Sequence, residues 1–290
     1  MSNAAETRYR SRFRKVLDHV EEHLADDLSA ERLSAVAAFS KFHFQRQFSA
    51  LFGVGVAKYV QLRRLKRASY RLAFRGDQQV LMIALDSGYD GPEAFARAFK
   101  KTLGQTPSEF REDPQWSAWH ETYRPMQELR TTYMNQERRL DDVRIVDTAD
   151  VRVATLEHHG PAAEMGNSVR KFIEWRRAAR VVARDSATFN VVYKHSDEDC
   201  RYDICAATER DIAPNDSRVT AKTIPGGRCA VLRHVGSDDT LSTTIDFLYA
   251  KWLPQSSEEP RDFPLYFQRL RMFPDVPEAD AITDVFLPLR

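Results

Sequence analysis

Phe44, Arg46, Phe48, Gly53 and Tyr59 are followed 51 residues later by Phe95, Arg97, Phe99, Gly104 and Phe110. A self-match at fixed spacing means that one local structure is built twice, which narrows the fold more than composition can. The first copy has helical spacing. Leu33, Val36 and Ala37 precede Phe44, Phe48 and Leu51, and Ser29 and Ser40 stand where each helix needs an acceptor for its first free N–H groups. Ala37, Ala38 and Phe39 form the corner between the two helices. A short helix, a tight corner and a second helix make a helix-turn-helix. The second copy, IALDSGYDGPEAFARAFKKTLGQTPSEF, has one residue inserted near Asp90 and Gly91. Pro92 suits the first turn of its second helix, where a missing N–H costs nothing. Residues 57–74 read as one long helix joining the copies, and Phe13, Val16, Leu17, Val20 and Leu24 give another with a single apolar stripe.

Helical repeats also build protein-binding scaffolds, so the outward residues decide the chemistry. With Phe44, Phe48 and Leu51 turned to the core, Lys41, Phe42, Gln45, Arg46 and Ser49 face out. Arg can pair bidentately with guanine and Gln with adenine, and an aromatic can touch a thymine methyl. A face that is merely solvated has no use for Phe42. On the second helix Glu93, Ala94, Arg97, Lys100 and Lys101 face out. Arg97 and the lysines suit phosphates, as do Arg63, Arg64, Lys66 and Arg67 of the joining helix. Glu93 can accept from a cytosine amino group or simply sit at a helix N-terminus. Charge follows the same division: residues 1–115 hold 19 Lys and Arg against 14 Asp and Glu, and the remainder 24 against 28. A basic front and an acidic back confine any nucleic-acid contact to the front.

Three cysteines, Cys200, Cys205 and Cys229, are too few for a disulfide framework and lack the partners of a zinc site, so no metal or cofactor is expected. No run reaches the 18 or so apolar residues of a membrane span, and MSNAAETRYRSRFRKV has no apolar stretch of a secretory leader. The expected compartment is the cytoplasm, with no membrane partner.

Residues 114–140 read as a linker with Pro114 and Pro125 as breakers, although Trp116, Trp119 and Tyr123 are aromatic enough to demand packing. From about 143 the period changes to two. Strands VRIV and VRVATLEH flank a turn at Thr148–Asp150, a helix follows to about Val182, and RYDICAATE at 201–209 is a further strand. The order then returns: SRVTAKTI, the turn Pro225-Gly226-Gly227, RCAVLRHVG, a helix through Leu241, Ile245, Leu248 and Trp252, and the strand ITDVFLPL. Arg152, Ala154, Leu156, His158 and Gly160 match Arg228, Ala230, Leu232, His234 and Gly236 at an offset of 76. Two copies of hairpin, helix and strand predict a pseudo-twofold α+β domain with a cleft between its halves, a common place for small molecules. Candidate lining groups are Trp175, Tyr249, Tyr266 and Phe267, with Glu157 or Asp203 as the acid. His158 and His234 invite a metal, but the repeat itself explains their symmetric placement.

Two resemblances add to this reading. The pattern F-S-K-F-H-F-Q-R-x-F at 39–48, with G-Y-D-G-P-E-A-F-A-R-A-F-K-K-T-L-G-Q-T-P-S-E-F-R at 88–111, resembles the AraC-type (AraC/XylS) regulator domain over about residues 10–112. That resemblance implies two recognition helices meeting successive major-groove segments roughly 34 Å apart. It puts base contacts on Phe42, Gln45, Arg46, Glu93 and Arg97. Ala38 departs from it where a corner Gly is common, and Gly55-Val56 departs where the second copy has Thr106-Pro107. The segments LEHHGP at 156–161, RYDICAA at 201–207, IPGGRCAVLRHVG at 224–236, Trp252-Leu253-Pro254 and the closing FLPL resemble the gyrase-inhibitor-like (GyrI-like) effector-binding domain. That family implies binding of hydrophobic, often cationic, molecules through cleft aromatics and an acid. FPLYFQRL at 263–270 departs from it, with Phe267 and Arg269 where a glutamate and a tyrosine are common, which leaves the ligand's charge open.

The expected architecture is therefore two domains. Residues 8–113 form an all-α double helix-turn-helix unit, 114–140 a linker, and 141–290 an α+β small-molecule-binding domain with a central cleft. The expected function is a non-enzymatic, sequence-specific transcription regulator. It would contact promoter DNA through Lys41, Phe42, Gln45, Arg46, Glu93, Arg97 and Lys100, and a small hydrophobic effector through the C-terminal domain. Two alternatives stay open there: binding of a protein such as gyrase or RNA polymerase, or a hydrolase in which Glu157 and a cleft tyrosine polarise water. No nucleophile–base–orienter trio supports the latter.

Overall fold

The structure is a computed structural model describing residues 2–133 and 138–290, and two units divide the chain. The first comprises Met1–Asn135 together with Phe273–Ala279, and the second Gln136–Met272 with Asp280–Arg290.

Among the described residues, eight α-helices build the first unit: α1 (Ser2–Glu22), α2 (Ala30–Val36), α3 (Lys41–Phe52), α4 (Val56–Phe74), α5 (Val80–Asp86), α6 (Pro92–Leu103), α7 (Pro107–Glu112) and α8 (Trp116–Tyr133). Ser29 and Ser40 cap α2 and α3, each accepting a backbone N–H at 3.4 Å. Gly53 and Gly104 end α3 and α6 in the left-handed region, at φ 66° and 79°. The repeat carries into packing. Tyr59 meets Phe48 edge-on at 5.5 Å, and Phe110 meets Phe99 edge-on at the same distance. Phe13 of α1 fills the centre of the first copy against Phe44, Phe48 and Phe52. Each buried ring of this kind stabilises by roughly 1.5–3 kcal/mol.

Pro125 does not break the chain's helical course but lies inside α8. Trp116, Trp119, Tyr123 and Met126 fall on one stripe of that helix and are buried, and Trp119 Nε1 donates to Ser69 Oγ at 2.7 Å. Burial of four large side chains outweighs the one backbone hydrogen bond a helical proline removes.

The joining helix also differs from expectation. Arg63 and Lys66 of α4 are buried and paired with carboxylates instead of facing out toward phosphates. Arg63 binds Glu21 and Glu278, Arg130 binds the same two, and Lys66 Nζ lies 3.0 Å from Glu278. Arg64 is spent on backbone carbonyls, donating to Leu24 O at 2.8 Å and Asp26 O at 2.7 Å. The segment Phe273–Ala279 lies along the same helix: Phe273 packs on Tyr70, Asp275 accepts a fork of hydrogen bonds from Arg75, and Glu278 closes the buried cluster.

The second unit contains β1 (Arg144–Thr148), β2 (Val151–Gly160), α9 (Met165–Ala178), β3 (Thr188–Lys194), β4 (Cys200–Ala207), β5 (Thr220–Ile224), β6 (Gly227–Val235), α10 (Leu241–Phe247), β7 (Tyr266–Arg271) and β8 (Ile282–Pro288). The eight strands form one antiparallel sheet in the order β1-β6-β8-β7-β3-β4-β2-β5. The expected hairpins are therefore absent. β1 pairs with β6 of the other repeat, and β5 pairs with β2, so the repeats exchange edge strands. The two short connections cross instead of folding back: Gly226 N donates to Asp150 Oδ1 at 2.7 Å, and a Cβ on Gly226 would sit 2.5 Å from Thr148 O. Because only Ala149 and Asp150 separate β1, at one edge, from β2, next to the other, the sheet has to curl until its edges approach.

Strands β3 and β7 join the halves at the pseudo-twofold, with Asn190 opposite Phe267 and Val191 opposite Tyr266. One face of the sheet carries the helices. Ala154, Leu156, Ile204 and Ala206 pack with Phe172 of α9, and Ala230, Leu232, Phe267 and Val285 pack with Leu241 of α10. The other face closes on itself around Val153, Phe189, Val191, Cys205, Val231, Tyr266 and Phe286. His158 and His234 are mirrored structural pins. Each Nδ1 faces a hydroxyl (Ser168 or Thr244), and each Nε2 faces a carbonyl one turn away (Pro161 or Ser237). Both ring nitrogens are thus occupied, and among the described residues no group of three or more His, Cys, Asp or Glu is placed to hold a metal.

Candidate nucleic-acid interface and ligand face

Helix α3 presents two opposite chemistries because its apolar residues recur every four positions. Phe44, Phe48 and Phe52 are buried, whereas Lys41, Phe42, Gln45 and Arg46 are exposed. Phe42 is 82% exposed, the most of any large apolar side chain among the described residues. Lys41 Nζ is held by Glu31 of α2, so it is a fixed charge beside the helix start. Arg46 makes no ion pair among the described residues, which leaves its guanidinium fork available. On α6, Phe95, Phe99 and Leu103 are buried, and Glu93, Arg97 and Lys100 are exposed. Glu93 lies in the first turn and Lys100 in the last, each at the helix end whose dipole favours its charge. All seven sequence-predicted positions are thus solvent-facing on the second helix of their repeat.

The six positions predicted for the ligand separate into two groups. Glu157, Asp203 and Tyr266 lie on the helix-free face of the sheet: Glu157 and Asp203 are opposite each other across β2 and β4, and Tyr266 stacks on Phe286 at 4.8 Å. Phe267 points the other way, into the core under α10, and Trp175 stacks on Phe172 of α9 at 5.7 Å. Tyr249, in the wide helical turn Leu248–Trp252 after α10, is half-exposed on the helix layer. The strand period of two explains the split between Tyr266 and Phe267: adjacent residues cannot share a face. These six side chains do not converge on a single cleft.

What does converge is a charged network that includes side chains not singled out from the sequence. Lys222 of β5 donates to Glu157 Oε1 at 2.7 Å and to Asp203 Oδ2 at 2.8 Å. Tyr193 Oη donates to the same Asp203 oxygen at 3.1 Å, and His159 Nε2 lies 2.9 Å from Glu157 Oε2. The Arg201 guanidinium sits 4.6 Å over the Tyr193 ring. Asp203 is buried, while Glu157, His159, Arg201 and Tyr193 are exposed and Lys222 is part-exposed, so the network forms a rim around a buried carboxylate. The hydrogen bond from Lys222, then that from His159, holds the Glu157 carboxyl down at about 2. Burial alone would lower the Lys222 ammonium, but its bonds to Asp203 and Glu157 outweigh this and raise it. The signal for Lys222 was its place in an alternating strand. It stayed hidden because that strand's partner is β2 and not β6.

Comparison with known proteins fits this two-part layout. Residues 141–290 match the GyrI-like small molecule binding domain, and residues 33–113 match a helix-turn-helix domain. The chain is 35% identical over 153 residues to the probable transcriptional regulator YgiV of Escherichia coli K12, covering 51% of this chain and 96% of that protein. It is 38% identical over 106 residues to the right origin-binding protein of the same organism, covering 37% of this chain and 36% of that one. Among solved structures, the EcmrR C-terminal domain aligns with a TM-score of 0.44 at 13% identity, over 51% of this chain and 96% of that one. The chain belongs to the GyrI-like small molecule binding domain family, with an AraC-type helix-turn-helix domain on its N-terminal side.

Proposed function

We propose that this chain is a sequence-specific DNA-binding transcription regulator whose second unit binds a small hydrophobic effector. The observation that carries the proposal is the outward side of α3, where Phe42, Gln45 and Arg46 stand exposed together while the opposite side is locked in the core. An exposed phenyl ring beside an Arg fork and an amide is costly in water and useful in a major groove, where it can meet a thymine methyl while Arg and Gln read base edges. Helix α6 serves as the positioning helix, with Arg97 and Lys100 on phosphates and Glu93 within its first turn. The two relatives, a probable transcriptional regulator and an origin-binding protein, support the DNA-binding reading.

Effector control requires that the ligand bind one arrangement of the protein more tightly than another. Glu157, with Asp203 behind it, supplies the ligand contacts at the exposed rim of the helix-free face, whereas Tyr266 is buried against Phe286 in the core and takes no part. A gel-shift series with the chain's own promoter region over increasing salt tests the DNA half. Affinity should fall steeply and linearly on logarithmic axes, because releasing counterions gains less entropy as the bulk salt rises. Affinity indifferent to salt, or no binding to that promoter, would reject it.

A further inference from the structure

The pseudo-twofold allows each position of one half-sheet to be compared with its counterpart in the other. Arg233 of β6 stands where β2 has Glu157, at the repeat offset of 76, and its cross-strand neighbour Asp284 stands where β4 has Asp203. In the β6–β8 half the pair is self-contained: Arg233 binds Asp284 through two parallel hydrogen bonds of 2.7 and 2.9 Å. In the β2–β4 half the arginine is replaced, and two carboxylates face each other. Like charges opposite one another destabilise a sheet. The missing cation comes from a third strand, as Lys222, at the position where the other half has Val146.

The two solutions differ in how firmly the cation is held. A guanidinium paired bidentately with a carboxylate is rigid, whereas an ammonium on a four-carbon stem is a movable point charge. Lys222 is also part-exposed and adjoins the half-exposed Tyr193 ring at 5.8 Å. The β2–β4 half is therefore the side of this face where a ligand's charge can be felt.

Building on the effector reading above, we propose that Lys222 is the specificity-determining residue of the helix-free face. It fills the cation position between Glu157 and Asp203 and so restricts the effector to uncharged hydrophobic molecules. With Lys222 and Arg201 present, the rim balances Glu157 and Asp203, so an organic cation gains nothing there and has to displace the resident ammonium. Without Lys222, a buried and an exposed carboxylate are left for an incoming cation to satisfy.

The test uses the full chain and two probes of one shape: a naphthylmethyl trimethylammonium and its uncharged tert-butyl isostere, titrated by calorimetry into wild type, Lys222→Gln and Lys222→Arg. Wild type should bind the uncharged probe at least as well as the cation. Lys222→Gln should gain about tenfold for the cation and change little for the uncharged probe, the scale of one charge-assisted hydrogen bond. Lys222→Arg, which keeps the charge, should retain the wild-type preference. Parallel shifts for both probes, a gain in Lys222→Arg equal to that in Lys222→Gln, or a wild-type preference for the cation would each overturn the proposal while leaving the effector reading standing. No binding of either probe to any of the three proteins would reject that reading together with the proposal.

Discussion

Lys66 and Glu278 meet at 3.0 Å where neither side chain is more than 4% exposed. With Arg63, Arg130 and Glu21 they form a buried cluster of three cations and two anions in the first unit. Removing one partner of such a cluster strands the remaining charges away from water. Glu278→Ala should therefore cost about 3–5 kcal/mol of that unit's stability. Urea denaturation followed by the fluorescence of Trp116 and Trp119 would measure it, and a loss below about 1 kcal/mol would mean that water relieves the cations.

The same carboxylate sets a pH dependence. Burial would push the Glu278 carboxyl up, but Arg63, Lys66 and Arg130 outweigh burial and hold it well below the usual range. A depressed folded value means that the contribution is complete above the ordinary glutamate pKa of about 4.3 and is lost as pH falls from there toward the folded value. Melting temperature should thus fall on acidification below about pH 4.3, and it should fall less steeply in Glu278→Gln.

On α3, Arg46→Ala should weaken specific DNA binding by about 1–3 kcal/mol. The melting temperature should hardly move, since Arg46 is exposed and makes no ion pair among the described residues. A large shift in melting would assign Arg46 to the fold instead.

Ala38 adopts φ 53° at the corner between α2 and α3, while the corner of the second copy uses Gly88 at φ 73°. A Cβ in the left-handed region costs roughly 1–2 kcal/mol, partly offset by the greater freedom of glycine in the unfolded chain. Ala38→Gly should stabilise by about 1 kcal/mol. Gly88→Ala should destabilise, since its Cβ would lie 2.6 Å from the Arg64 guanidinium as well as in the disfavoured region. Thermal denaturation of the two variants should move in opposite directions.

Gly226→Ala probes the crossing of the two strand connections. The new Cβ would press on backbone, at 2.5 Å from Thr148 O, with no flexible side chain to yield. A loss of about 1–3 kcal/mol is expected from overpacking of this kind. An unaffected melting curve would mean that the crossing is looser than its geometry.

The double helix-turn-helix was legible because local signals agree there: caps at Ser29 and Ser40, helical spacing of phenylalanines, and left-handed glycines at matching ends. The sheet was legible as strands but not as pairings. Alternation at 144–148 and 151–160 says that each segment has a buried side, not which strand lies beside it, and a short turn reads the same whether the chain folds back or crosses. That ambiguity concealed Lys222, which meets Glu157 only when β5 lies against β2. β3 and β7 passed unnoticed although Phe189, Val191 and Val192 are typical strand residues. Glu278 gave no signal at all, since its partners on α4 are remote in sequence and a lone glutamate reads as solvated.

The exchanged edge strands bear on how the second unit comes into being. β1 is made early, yet its sole neighbour in the sheet is β6, which follows only after the whole β2–β5 stretch. Neither repeat can mature by itself, because each lacks an edge that the other holds. Contacts so distant along the polypeptide slow folding. On the ribosome only β1 would thus wait unpaired, since β2 to β5 can join in the order β3-β4-β2-β5 before β6 exists, and the sheet should close last along β1-β6-β8-β7.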